Sequence, residues 1–285
     1  MQTTNYQRGF TLVELIMVII VMGVIGATVA VFMKSPVDAY FDTARRAALT
    51  DVADTTVRRM ARDIRKALPN SVRVPTTTPP NQCLEFIPTK TGGRYRTEDA
   101  TAGDGTRLDF TAADASFNML ASNNALPAEQ RIVAGDVIAI YNLGPGIVDA
   151  YAQDNTASVV APSPVDPASA PNETRITINS TKTPSNGNML FPLESGSNRF
   201  HVVPKDEKVV AYVCTGGQLR RTASTTFNSA CPATGAVLAD KVSSCTFVYN
   251  GSDLQRNALV QITVKFTESD ETVSLYHEVH VSNTP

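Results

Sequence analysis

Arg8-Gly9-Phe10-Thr11-Leu12-Val13-Glu14-Leu15 opens a stretch that continues through Ile16 to Met33 with no further charge. As a helix rising about 1.5 Å per residue, residues 15 to 33 would span roughly 28 Å, close to the hydrocarbon thickness of a bilayer. The anomaly is Glu14, just inside the apolar run. A carboxylate there costs on the order of 2.5 to 3.5 kcal/mol on insertion scales unless it finds a partner. An ordinary signal anchor or signal peptide would leave that residue unexplained. Thr28-Val29-Ala30 could pass as a loose small-residue cleavage site. A secretory apolar region, however, is normally about 7 to 15 residues long with a basic stretch before it, and here only Arg8 is positive.

Taken together, Gly9-Phe10-Thr11-Leu12-Val13-Glu14 resembles the prepilin motif of type IV pilins and type II secretion pseudopilins. The resemblance implies a leader, 1–9, removed by a prepilin peptidase that cuts after Gly9 and methylates the new amino terminus of Phe10. It also implies that Glu14 faces the amino-terminal ammonium of a neighbouring subunit, two opposite charges meeting in a helical bundle of low dielectric. Such a pair helps specify axial register, and removing one partner strands the other. Major type IV pilins usually carry a proline partway along the apolar segment, whereas the first proline here is Pro36. That departure leans toward a minor pilin or a pseudopilin. Gly23 and Gly26 are the weak helix positions inside the span, and close packing against a neighbouring helix accounts for them.

Beyond Met33 the pattern turns amphipathic. Pro36 would kink the helix or open a new one, and Leu49, Ala53, Val57, Met60, Ile64 and Leu68 recur at three- and four-residue steps. Leu68-Pro69-Asn70 stops the pattern, so a nearly continuous helix from Phe10 to Leu68 would be about 88 Å long. Arg58, Arg59, Arg62, Arg65 and Lys66, with Asp63 among them, make its outer face basic: a solvated face, or a contact with an acidic face of another subunit. The run from Arg58 to Arg65 followed by Leu68-Pro69-Asn70-Ser71-Val72 also looks like a segment of the MshO-type minor pilins of mannose-sensitive haemagglutinin pilus systems. Cys214-Thr215-Gly216-Gly217-Gln218-Leu219-Arg220-Arg221 reads as a hairpin with a basic return strand, and a similar run occurs in the PilW and MshO groups.

The chain has 285 residues. Roughly 215 remain after position 69, ample for one folded core. With 25 basic and 27 acidic side chains, the net charge of −2 suggests neither nucleic acid nor an anionic lipid surface as a partner. From residue 70 onward the chain reads as strands and turns. Candidate strands are 83–87, 107–111, 136–142, 174–179, 199–203 and 208–214, separated by Gly92-Gly93, Gly103-Asp104-Gly105, Gly144-Pro145-Gly146, Asn186-Gly187 and Gly216-Gly217. The Ala, Pro, Ser and Asp content of 152–173 reads as a long surface loop. The clearest β signal comes last: Ala258, Val260, Ile262, Val264 and Phe266 alternate with polar residues. The turn Glu268-Ser269-Asp270-Glu271 then leads into Val273, Leu275, His277, Val279 and Val281 on the core side. The fold class is therefore α+β: leader 1–9, membrane and assembly helix 10–33, amphipathic helix 34–69, and a β-rich head 70–285 with a mostly antiparallel sheet.

Cys83, Cys214, Cys231 and Cys245 lie in the part expected to be exported, where disulfides form. Three pairings are possible. Closure of the local loop favours Cys214 with Cys231, worth about 3 kcal/mol in the chain-entropy model, and Cys83 with Cys245 follows by elimination. No CxxC pair or zinc-like spacing is present, and no metal or other cofactor is expected. His277 and His280 would point to opposite faces of one strand, which prevents them sharing a metal. Asp99, Asp104 and Asp109 could offer oxygens to calcium, which some pseudopilins bind, but the spacing is not that of an EF-hand and a plain β-turn is the simpler reading. With three histidines and no Gly-x-Ser-x-Gly motif, an enzyme has little to build from.

The reading is thus a non-enzymatic minor pilin in the inner membrane, single-pass with a periplasmic head, later built into a pilus fibre and placed at its tip. Gly9 and Phe10 would carry processing and Glu14 assembly. The partners implied are the prepilin peptidase, other pilins, an inner-membrane assembly platform and the lipid bilayer. The rivals are a J-type minor pseudopilin of type II secretion, an adhesin or ligand-binding head using the 152–173 loop, and an anchored periplasmic enzyme.

Overall fold

The computed structural model describes residues 9–76, 82–161, 164, 166–167, 172–180, 190–227, 231, 234–250 and 257–285. Most of the expected leader and the Asn186-Gly187 turn lie outside these residues. The chain divides into two compact units, Met1–Thr50 and Asp51–Pro285, and its helix α1 runs Leu12–Ile64.

In the first unit α1 is apolar and exposed from Leu12 to Met33, and the helix is long and apolar enough to cross a membrane. The helix continues through Pro36; the pyrrolidine ring simply removes one donor from the ladder. Inside the apolar run Thr28 returns its hydroxyl to the carbonyls of Val24, at 3.1 Å, and Ile25, at 2.9 Å, so the polar group is satisfied within the helix.

In the second unit the predicted face is inside: Ala53, Val57, Met60, Ile64 and Leu68 are all buried. Each of the larger side chains contributes about 1.5 to 3 kcal/mol by leaving water. The helix ends at Ile64, four residues before the expected stop at Leu68, because the chain tightens and then joins the sheet. Lys66 and Ala67 donate to Asp63 and Ile64, three residues back, and the Leu68 amide donates to Ile87 at 2.8 Å. Asn70 follows in the left-handed region at φ 58°. Its side-chain Nδ2 donates to Asn142 O at 2.9 Å, while Asn142 Nδ2 donates to Pro69 O at 2.7 Å, so the reversal is pinned from both sides.

Among the described residues three antiparallel sheets follow. One has the order β1-β2-β9-β10-β11, built from β1 Arg73–Thr76, β2 Cys83–Phe86, β9 Val209–Thr215, β10 Gln218–Ser224 and β11 Ala236–Ala239. A second has the order β3-β8-β5-β6-β7-β4, from β3 Thr91–Arg94, β4 Ser116–Met119, β5 Val137–Ala139, β6 Thr156–Val159, β7 Thr174–Ser180 and β8 Arg199–Val203. The third is β12 Val242–Asn250, β13 Asn257–Glu268 and β14 Glu271–Ser282, paired in chain order. The architecture is α+β.

The closing hairpin follows the alternation in the sequence. Ala258, Val260, Ile262, Val264 and Phe266 of β13 are buried, and Val279 and Val281 of β14 are buried in the expected phase. Ser269 and Asp270, both at positive φ, make a tight turn whose twist matches the flanking strands. Gly216 and Gly217 do the same between β9 and β10.

Several local readings differ from the structure. Residues 107–111 form no strand: Asp109 Oδ1 accepts from the Thr111 amide at 2.7 Å and the Thr111 hydroxyl at 2.6 Å, a side-chain turn that competes with the ladder. Gly92 and Gly93 belong to β3 rather than to a turn. A Cβ on Gly92 would lie 2.8 Å from the Phe200 carbonyl oxygen, so glycine here permits close approach of two strands. The expected surface loop at 152–173 contains β6, where Thr156, Ala157 and Val159 are buried between β5 and β7. Strand β12 has no counterpart in the sequence reading. A register shift between Val242 and Ser244 interrupts its alternation, although Cys245 and Phe247 then face inward.

Candidate functional site

At the start of the apolar helix, Thr11 stands before its first residue and Glu14 in its first turn. The two side chains cap the helix reciprocally. Glu14 N–H donates to Thr11 Oγ1 at 3.3 Å, while the Thr11 amide and hydroxyl each donate to Glu14 Oε2 at 2.9 Å. The first helical bond, Leu15 to the Thr11 carbonyl, is 3.2 Å. This is a capping box, and Thr-x-x-Glu before an apolar run is its sequence signal. The capping role of Thr11 is therefore legible in the sequence beside Glu14, a signal separate from the prepilin resemblance.

The cap supplies part of the partner that an apolar setting demands of Glu14. Oε2 is held against the chain's own backbone, and Oε1 takes no hydrogen bond among the described residues. Gly9 and Phe10 precede the helix and are exposed, Phe10 at 88%. A Cβ added at Gly23 or Gly26 would meet nothing within 4 Å, so any close packing at those positions involves another molecule.

The remaining candidates lie in the second unit. The cysteines pair as Cys83–Cys231, with Cα atoms 6.0 Å apart, and Cys214–Cys245, at 6.1 Å. Both expected pairings, Cys214 with Cys231 and Cys83 with Cys245, are therefore corrected. The reason is pleat parity. Cys83 of β2 lies opposite Val213 of β9, so Cys214, the next residue, points to the other face. Cys231 covers the face of Cys83, Ala211 and Val213, and β12 brings Cys245 to Cys214. A Cys214–Cys231 bond would have to pass through the sheet.

Beside the first disulfide, Glu85 is fully buried and paired with Arg73. The guanidinium of Arg73 lies 3.5 Å over the ring of Tyr151. Ligand atoms of Cys83, Glu85 and Cys231 fall within 4.8 Å of one another. The two sulfurs are joined covalently, however, and offer no thiolate to a metal.

The basic face of α1 is divided. Arg58 pairs with Asp54 at 2.7 Å. Asp63 is instead turned to the sheet, where its Oδ2 accepts from Arg221 Nε and from the Tyr212 hydroxyl, each at 2.8 Å. Arg221 also grips Glu207 through two bonds, at 2.8 and 2.9 Å. That grip lowers the Glu207 pKa, and the two carboxylates raise that of Arg221. Burial and the neighbouring Asp63 push the Tyr212 phenol up. Glu207 and Arg221 are thereby held ionised and Tyr212 neutral, the pattern of a structural staple.

Asp99, Asp104 and Asp109 are spread over turns and spend their oxygens locally. Asp104 Oδ1 accepts from the Thr106 amide at 3.0 Å and hydroxyl at 2.7 Å, and Asp99 from the amides of Gly103 and Arg107, both at 3.2 Å. This is β-turn chemistry. His277, half-buried, and His280, exposed, lie on opposite faces of β14.

Among known proteins, residues 4–30 match the model of the prokaryotic N-terminal methylation motif, the type IV prepilin-like signature. No curated protein and no solved structure matches the chain. The match covers Gly9, Phe10, Thr11 and Glu14, and supports a pilin or pseudopilin role with membrane anchoring through the apolar helix.

Proposed function

We propose that the chain is a non-enzymatic minor pilin of a type IV pilus, similar to the MshO type. The prepilin peptidase cuts it between Gly9 and Phe10 and methylates Phe10. The apolar helix holds it in the inner membrane with the head in the periplasm, and the assembly platform then builds it with other pilins into the fibre, at or near the tip. The observation that carries this reading is the coincidence of the methylation motif with the Thr11–Glu14 cap. The cap orients a carboxylate at the mouth of the apolar helix and leaves Oε1 for the ammonium of a neighbouring Phe10. In a low-dielectric bundle that pair specifies axial position, because a subunit out of register strands a charge.

Intact-mass spectrometry of the membrane-purified protein, with and without its prepilin peptidase, tests the proposal. A chain beginning at Phe10 and heavier by one methyl group is expected only when the peptidase is present. A start at Met1 or after Ala30 in its presence would overturn the reading. Glu14→Val should still be cleaved yet fail to enter fibres efficiently, and normal incorporation would remove the charge-pairing role. The J-type pseudopilin reading keeps the same processing and differs in the machine served, so the pilins that co-purify decide between the two.

A further inference from the structure

Strand β14, Glu271–Ser282, pairs on one side only, with β13, through twelve consecutive register positions and no bulge. Among the described residues its other edge has no backbone partner. A long, regular edge is normally blunted by a lysine, a proline, a bulge or a covering element, since its unpaired N–H and C=O groups invite another strand. β14 contains neither lysine nor proline.

Beside this edge the second unit has a groove of about 510 Å³. Val57 and Ala61 of α1 and Leu275 and His277 of β14 line it, and Arg58, Arg62 and Arg65 supply its charge. Leu275 and His277 point to the same side as buried Val279 and Val281 but are only half covered. The inner face of the sheet therefore continues past the cover that α1 gives it. Asp54 answers Arg58. Arg62 and Arg65 have no ion-pair partner among the described residues.

We propose that this edge is a docking site: an extended, acidic segment of a different polypeptide adds to β14 as a further strand, its inward side chains lying along the groove. The free edge supplies main-chain hydrogen bonds, and the alternation of the added strand puts every second side chain on the groove side, where the arginines and Leu275 lie. A second copy of β14 fits poorly. Among its inward residues the one carboxylate, Glu271, stands at the first position of the strand, and pairing two copies would bring two sets of arginines together. The inference goes beyond the prepilin reading, because it needs neither processing nor assembly.

The test uses the full chain in detergent micelles and a fluorescently labelled, end-blocked peptide of about ten residues, at the upper end of strand lengths and suited to the long β14. The peptide carries threonine on one face of the extended chain and glutamate alternating with valine on the other. Expected are saturable binding that weakens with salt and slowed hydrogen exchange at alternate β14 amides. Binding should fall at least tenfold for Arg62→Glu combined with Arg65→Glu, and for a peptide with lysine in place of glutamate. A peptide N-methylated at alternate residues keeps the side chains but loses strand donors, and it should not bind. Equal binding by the N-methylated peptide, protection elsewhere than β14, indifference to the arginine changes, or no saturable binding would overturn the proposal. Both arginines are exposed, and an unchanged exchange pattern in the free double variant would confirm that it is folded.

Discussion

Asp63 on α1 and Arg221 on β10 meet at 2.8 Å, joining the helix to the sheet from positions 158 residues apart. The same carboxylate oxygen accepts the Tyr212 hydroxyl, so one acidic side chain serves two strands. Asp63→Asn keeps the shape, withdraws the charge and leaves Arg221 with Glu207 alone. The expected loss is about 1 to 3 kcal/mol in urea unfolding, less than for a fully buried pair because both side chains remain partly exposed. A double cycle with Arg221→Met checks it. Additive effects of the two substitutions would show that the pair is not coupled.

His201 lies on β8 opposite Gly92 and Ala139. Burial, with a smaller repulsion from Arg199, lowers its pKa from 6.5 to about 4. The unfolded chain takes up this proton first, so the contribution is complete above about pH 6.5 and is lost as the pH falls toward 4. The loss amounts to about 3 kcal/mol. The difference in unfolding free energy between wild type and His201→Gln should change across this window; a difference constant with pH would refute the assignment.

Peptide mapping under non-reducing conditions should recover Cys83 linked to Cys231 and Cys214 linked to Cys245. The enclosed loops of 148 and 31 residues correspond to about 5 and 4 kcal/mol in the chain-entropy model. Removing either bond by paired serine substitution should lower the unfolding midpoint. A Cys214–Cys231 peptide from the folded protein would contradict the pleat argument.

Gly92→Ala should destabilise the second unit by about 1 to 3 kcal/mol, because the added Cβ meets backbone, which cannot swing away. Gly196→Ala is the control, with nothing within 4 Å of its Cβ. Equal midpoints for the two variants in denaturant would show that β3 and β8 separate without cost.

Features encoded over a few neighbouring residues were legible in the chain alone. The apolar run, the motif around Gly9, Phe10 and Glu14, the buried helical face from Ala53 to Leu68 and the closing hairpin each depend on local periodicity, which backbone geometry converts directly into a face. The Thr11–Glu14 cap is equally local. The tertiary structure alone decided what depends on neighbours distant in sequence. Sheet order places β9 between β2 and β10, pleat parity sends Cys83 and Cys214 to opposite faces, and the approach of β3 to β8 makes a strand residue of Gly92. Likewise, the pairing of Asp63 with Arg221 and the open edge of β14 exist only once strands have chosen partners. A period of two says which side chains share a face, but it carries no information about which strand lies alongside.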